Sequence, residues 1–518
     1  MNAGTNRLQG LTHRVHPTEG SRLKNYDVIV VGSGIGGLTT AALLSKAGKS
    51  VIVLEAHDRP GGYAHGFKRN KYHFDAGVHL ISGCGPDGYR GGQVIYKVLN
   101  ALGLSGDLEF INVDPFSHVY YPGLNSALPQ SIAAFVATLA RQFPKERQGL
   151  ESLVQLCLQV TEEIALASEM ILTDYDTTYR LMPTLCQYRK STLDKVMDKF
   201  IRDTKLRGVF ASLWPYLGLP PSKVSFIYWA SMLIGYVVDG AYYCKGSFQE
   251  LANTLVKGIR QHGGIVQFRS PVEKIIIEQN QVSGIIAKGT RINASVVVSN
   301  ADMRQTIFDL VGEQFFPEHY VQKIKSMQHS LSIFVVYIAT NLDLVKLNMG
   351  HESFCYRDFD HDLNFARTLR GEVSWISITA PTLVDPGLAP AGEHLLMLTT
   401  LLPYNAENSW QQAKQDYIDV MLDIATQYIP DLKQHINFIE GGSPTTMQRY
   451  TQNYQGAAYG WDVMPTQVSP ARAKNTSPVT GLYFAGHWSS PGCGVYGVSV
   501  SGNQVAQKIL GMKNSIIN

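Results

Sequence analysis

Asp27-Val28-Ile29-Val30-Val31-Gly32-Ser33-Gly34-Ile35-Gly36-Gly37 runs through Leu38–Ala47 (LTTAALLSKA) and Gly48 into Ser50–Leu54 and ends on Glu55. This stretch decides the fold. Val28–Val31 is a short β-branched run, as expected of a strand buried on both faces. The residues after it satisfy G-x-G-x-x-G, the next ten have helical composition, and a second apolar run closes on an acid. Strand, loop, helix and strand in register make a βαβ dinucleotide-binding unit, a far stronger signal than a lone glycine motif. Gly32 permits the tight turn, Gly34 lets backbone approach a pyrophosphate, and Gly37 allows close packing of helix on strand. Ile35 and Gly36 open the helix, whose free N–H groups and dipole favour phosphate. Glu55 is placed to accept from ribose hydroxyls and to repel a 2′-phosphate.

Working outward, Glu55 and Ala56 lead to Gly61-Gly62-Tyr63 and then to Phe74-Asp75-Ala76-Gly77-Val78-His79. Phe248–His262 reads as a helix ended by Gly263-Gly264, and Ile265–Phe268, Val272–Glu278 and Val282–Ala287 read as a strand and hairpin. Val296–Ser299 with Asn300 closes that unit. Near the other end, Gly481–Gly486 is a strand running into His487, and Pro491-Gly492-Cys493-Gly494-Val495-Tyr496-Gly497 opens a final helix. The middle, from Asp114 to Gly240, is helical in character and rich in aromatic residues. Trp214, Tyr216, Phe226, Tyr228, Trp229 and Tyr236 are its tunnel candidates, although such spacing also suits core packing. Leu331–Pro403 alternates as strands.

At 518 residues the chain exceeds one ordinary core, and 45% hydrophobic with 17% charged residues is globular composition. A net charge of +3 without a basic stripe excludes a nucleic-acid partner. The six scattered cysteines form no CxxC pair, which points to reduced thiols, a cytoplasmic setting and no metal. Residues 1–24 read as a polar, mildly basic, disordered leader without the apolar segment of a secretory signal. Val224–Val238 is too short for a comfortable membrane span and reads as a buried helix. No feature specifies an oligomer.

DVIVVGSGIGGLTTAALLSKAGKSVIVLE, GGYAHGF, FDAGVH and GLYFAGHWSSPGCGVYGVSVSG together resemble the carotenoid oxidoreductases: phytoene-type desaturases, carotenoid isomerases and retinol saturases. The likeness runs from about Tyr26 to Leu510 and includes Asp385–Pro390. It implies FAD on an α/β, Rossmann-like two-dinucleotide-binding-domain fold of the glutathione-reductase and amine-oxidase kind, with an α+β substrate domain. The implied layout is cofactor domain at 25–113, 241–310 and 441–518, helical substrate domain at 114–240, and its sheet at 311–440. Cofactor contacts are expected from Gly32, Gly34, Ile35, Gly36, Gly37, Glu55, Ala56, Gly61, Gly62, Tyr63, Val272, Asn300, Gly486, His487, Gly494 and Val495. Two departures stand out: His487 replaces the family's acidic residue, and Cys244-Lys245-Gly246-Ser247 replaces its P-x-G-G turn.

The implied reaction is cis-trans isomerisation or desaturation of an apolar polyene, with the His79 variant nearest the isomerase and saturase branches. A retinol-saturase-like reductase and a flavin amine oxidase are the alternatives, and a non-catalytic prenyl-binding chaperone is disfavoured by the intact glycine motifs. The chain carries neither a Ser-His-Asp set nor paired catalytic carboxylates, so the flavin carries the chemistry. His487, then Cys493 and Tyr496, are the protein groups expected at the ring. A membrane-dissolved substrate further implies peripheral docking through an apolar patch of the helical middle.

Overall fold

A computed structural model describes residues 24–86, 93–169, 175–405 and 409–512. Its centre is a five-stranded parallel sheet in the order Ile265–Gln267, Val51–Leu54, Val28–Val31, Val296–Ser299, Leu482–Phe484. The order reverses direction between Val28–Val31 and Val296–Ser299, the switch point beside which open α/β sheets bind ligands. Val28 and Val30 pack into one core while Ile29 and Val31 pack into another. That two-sided burial is why the run is apolar at every position.

One face carries the helices Ile35–Lys46, Gln249–Gln261 and Val495–Leu510. The first and last of these touch closely. Thr40 Oγ1 donates to the Gly502 carbonyl at 3.0 Å, and a Cβ on Gly502 would lie 2.4 Å from the Gly36 oxygen. The other face is covered by a four-stranded sheet of Lys24–Asn25, Thr290–Asn293, Gln281–Ala287 and Val272–Glu278.

The substrate side is a seven-stranded sheet ordered Ile436–Gly442, Ser332–Thr340, His394–Leu402, Trp375–Thr379, Glu352–Tyr356, Ser117–Tyr121, Leu124–Leu128. Residues 334, 336 and 338 face the helix Trp410–Ala425, and 333, 335 and 337 face the opposite core, where Tyr337 packs on Phe67 and Phe74; in the helical middle Arg147–Glu169 packs on Phe226–Val238.

The expected boundaries need correction in four places. The segment 114–240 is not helical throughout, because the hairpin 117–128 adds two edge strands to the large sheet through parallel pairing of Val119 with Phe354. The helix Glu318–Ser326 packs in the core of the cofactor sheet, although it lies within 311–440. The strand Ile436–Gly442 runs across the 440/441 boundary. Lys24, expected in the leader, pairs with Ile292, and the rest of the leader lies outside the described residues.

Candidate functional site

The loop after Val28–Val31 is built by glycine. Gly32 has φ +90°, and a Cβ on Gly37 would sit 2.5 Å from the Gly32 carbonyl oxygen. Ser33, between them, donates its N–H and its hydroxyl to Glu55 Oε2, each at 2.7 Å. Glu55 Oε1 accepts from the His57 N–H at 2.7 Å and keeps an acceptor position for a ligand hydroxyl. Ala56 is half-buried beside it. The Ser270 N–H donates to the Glu55 carbonyl at 2.7 Å, which brings the start of the Val272 strand to this corner. Gly61 folds back, its N–H donating to the Ser33 carbonyl at 2.9 Å. A Cβ on Gly62 would lie 3.3 Å from Gly34 Cα.

Asn300 enters the same crevice from the neighbouring strand. Its Nδ2 is 2.6 Å from a Cβ placed on Gly34, and its Oδ1 is 2.9 and 2.7 Å from those placed on Gly36 and Gly486. Oδ1 is buried without a hydrogen-bond partner. An amide ringed by glycines from both ends of the chain, with an orphaned oxygen, fits a cradle for a polar ligand that approaches backbone closely. Gly494, at φ +80°, is the N-cap of the helix Val495–Leu510, and open space lies where its Cβ would be.

Beyond the cradle lies a cluster of deep tyrosine and histidine side chains. Burial raises the pKa of Tyr63, Tyr216, Tyr228, Tyr236 and Tyr459 and lowers that of His79 and His487, yet each side chain keeps some accessible surface. Deep side chains that retain accessible surface make this cluster the candidate lining of a hollow. One face of Phe226–Val238 supplies a wall: Tyr228, Ser231, Met232, Gly235 and Tyr236 are half-buried there, while Trp229, Ala230, Leu233 and Ile234 are buried. Of the six aromatic candidates, Tyr216, Tyr228 and Tyr236 face the hollow, and Trp214, Phe226 and Trp229 are packing residues.

His487 follows Gly486. Its Nε2 is 3.3 Å from Asn453 Oδ1, its carbonyl accepts from Arg472 at 2.6 Å, and its ring lies 6.3 Å from that of Tyr63. Burial, reinforced by Arg472, pushes its pKa down to about 3, so the imidazole is neutral at physiological pH. Cys493 is buried, with its carbonyl and Sγ 3.1 and 3.6 Å from the Tyr228 hydroxyl. Burial raises the thiol pKa, which leaves a wall group rather than a nucleophile. Tyr496 lies beside Gly83 with 37% of its surface exposed, and burial of its hydroxyl end raises its pKa to about 12.

The glycine cradle at a sheet switch point, closed by an acid and opening on an aromatic hollow, defines a flavoprotein of the two-dinucleotide-binding-domain class. The sequence matches the flavin containing amine oxidoreductase family over residues 35–510, and the chain belongs to that family. It is an FAD-dependent enzyme. It is similar to the all-trans-retinol 13,14-reductase of Danio rerio, 27% identical over 513 residues that cover 89% of this chain and 82% of that protein. It is also similar to the chloroplastic prolycopene isomerase of Daucus carota, 27% identical over 513 residues that cover 94% of this chain and 80% of that protein. An oxidoreductase of Methanosarcina mazei shares the fold, with TM-score 0.62 and 19% identity over 93% of this chain and 99% of that one.

Several site residues went unread in the sequence. Asn453 Oδ1 joins His487 to the Trp488 indole N–H, which donates at 2.8 Å. Arg472 is buried and donates to the carbonyls of Trp461, His487 and Ser489. Neither carries a local motif. Glu352 does carry a signal, because it is a carboxylate in a strand buried at every position. Asp75 also accounts for the Cys244–Ser247 departure. Its carboxylate accepts from Tyr243 Oη at 2.7 Å and from Ser247 Oγ and the Phe248 N–H at 2.8 Å each, tying FDAGVH to that turn.

Proposed function

We propose that this enzyme transforms a conjugated double bond of an apolar polyene or related lipid, in the isomerase and reductase class of its relatives. The observation that carries this reading is the aromatic hollow opening beside the glycine cradle. FAD, when bound, supplies reversible two-electron exchange with the substrate. Gly32, Gly34, Ile35, Gly36 and Gly37 would hold the pyrophosphate, Glu55 a ribose, and Ala56 and Val272 the adenine side. Gly61, Gly62, Tyr63, Asn300, Gly486, His487, Gly494 and Val495 would frame the flavin side. Neutral His487 orients by hydrogen bonding, while Cys493 and Tyr496 shape the wall. The names of the two relatives, a retinol reductase and a prolycopene isomerase, support a polyene substrate.

A polyene dissolved in lipid gains little free energy by moving between apolar phases, so the enzyme would dock on the bilayer and load from it. Among the described residues no helix is long and apolar enough to cross a membrane. Of the large exposed apolar side chains described, Tyr179 is the one within 114–240. All six cysteines are free thiols.

The test is incubation of FAD-loaded protein with cis- and all-trans-carotenes and with retinol in liposomes, under reducing anaerobic and aerobic conditions, followed by chromatography and mass analysis. Product of unchanged mass marks isomerisation, and gain or loss of two hydrogens marks saturation or desaturation. Turnover of amines alone would overturn the polyene reading.

A further inference from the structure

Glu352 begins a strand of the large sheet and points to the same face as Phe354 and Tyr356, toward the helical middle. It is fully buried. Its Oε2 accepts from the Thr379 hydroxyl at 2.8 Å and lies 3.4 Å from His79 Nε2; Oε1 makes no well-formed hydrogen bond, and the Tyr216 hydroxyl lies close to the carboxyl. Nothing in the fold requires an acid here, and an unmatched buried carboxylate is costly. His79 stands between this acid and the hollow. Its side chain keeps 12% of its surface accessible, its ring is 6.4 Å from that of Tyr216, and among the described residues its Nδ1 has no protein partner.

The main chain at His79 is clamped. His351 Nε2 donates to its carbonyl at 2.8 Å, and the Tyr236 hydroxyl donates to the next carbonyl, that of Leu80, at 3.3 Å. Two residues earlier, a Cβ on Gly77 would lie 3.4 Å from the Tyr63 ring, so the segment that carries His79 packs directly on the cofactor cradle.

We propose that His79 and Glu352 form a proton-delivery pair for addition of hydrogen across a substrate C=C bond, with His79 facing the substrate and Glu352 behind it as the proton store. This rests on the polyene reading above. The imidazole tautomer with Nδ1–H and a bare Nε2 suits the geometry. The C=C π bond breaks, and one carbon receives a hydrogen with its electron pair from reduced flavin. The neighbouring carbon receives the Nδ1 proton as the Glu352 O–H proton passes to Nε2. The alkene is reduced by two electrons, the flavin is oxidised by two and imidazole stays neutral; the pair resets when a solvent proton enters at Nδ1 and the Nε2 proton returns to the Glu352 carboxylate. Burial supports these states at neutral pH, since it raises the Glu352 pKa to about 8 and lowers that of His79 to about 3. Because the pair completes a reduction, it favours the saturase direction over isomerisation.

The experiment mixes anaerobically reduced holoenzyme with polyene-loaded phosphatidylcholine vesicles, or with a soluble one-electron dye, and follows flavin absorbance. Wild type, Glu352→Gln and His79→Gln are compared. Both variants should bind FAD and be reoxidised by dye at the wild-type rate, yet by polyene about a hundredfold more slowly. In apoprotein at neutral pH, where Asp462 also keeps its proton, the wild-type-minus-variant infrared spectrum should show a protonated-carboxyl band lost in Glu352→Gln and shifted in His79→Gln. A structural defect would slow both oxidants together, and that result overturns the pair. So does polyene-driven reoxidation at the wild-type rate in either variant, or product of unchanged mass from wild type. Should no polyene reoxidise the wild-type flavin, the pair fails, and the polyene reading fails with it only if no isomerised product forms either.

Discussion

Arg472 is a cation held almost entirely by main-chain oxygens. Nε donates to Ser489 at 3.1 Å, Nη2 to Trp461 at 3.2 Å and to His487 at 2.6 Å, and Nη1 has no partner. It fixes the backbone of the loop that carries Gly486 and His487. Arg472→Leu should cost about 3 kcal/mol, the range for losing charge-assisted hydrogen bonds in the interior, and should lower flavin retention. Thermal denaturation and the flavin-to-protein absorbance ratio check it. Its neighbour Asp462 has a carboxyl pushed up to about 8 by burial, as has Glu352. Each folded-state pKa lies above the unfolded carboxylate value of about 4. The stability these groups contribute is therefore full below that value and is lost as pH rises through about 8. The melting temperature should fall across this window, and Asp462→Asn and Glu352→Gln should each flatten the fall. Melting curves at stepped pH would show it, and an unchanged slope would contradict it.

Among the elements, the loop before the helix Ile35–Lys46 tolerates least. Gly37→Ala places a methyl 2.5 Å from the Gly32 oxygen and 2.9 Å from Asn300 Cβ, a clash within backbone that cannot give. A loss of about 1–3 kcal/mol and of FAD binding is expected, read by denaturation and flavin titration. On the helix Phe226–Val238, Met232→Trp should fill the hollow, cutting polyene turnover while FAD content stays at the wild-type level. These two elements were legible for different reasons. The strand-loop-helix unit is specified by residues adjacent in sequence, so spacing alone revealed it. The helix was legible as apolar, but which of its faces is accessible depends on Tyr216 and Cys493, which other segments bring in. The hairpin 117–128 was missed because its partner strand, Glu352–Tyr356, is remote in sequence and its short, partly polar edge strands show little periodicity. Glu352 belongs with it: the charge was visible, but its meeting with His79 comes only from sheet topology.

At the scale of the molecule, the cofactor cradle joins Gly34 and Gly36 to Asn300 and to Gly486, so ligand binding should couple the whole cofactor domain. FAD at a hundred times its dissociation constant should stabilise the fold by about 2.7 kcal/mol. Differential scanning calorimetry of apo- and holoprotein measures this, and equal melting points would mean that the cradle does not hold the flavin. The proposed docking on bilayers belongs to the same scale, and flotation with phosphatidylcholine vesicles tests it.

The order of strands also sets an order in time. Leu482–Phe484 pairs with Val296–Ser299 at the edge of the central sheet, and Gly486 follows it against Asn300. A ribosome makes that strand after every other strand of the three large sheets. The growing polypeptide thus spends most of its synthesis with the crevice open along one side, and flavin insertion has to wait for the last segment to emerge. Shortage of flavin would then be felt as a defect of maturation, in chains whose final strand and helix have arrived without a ligand to close upon.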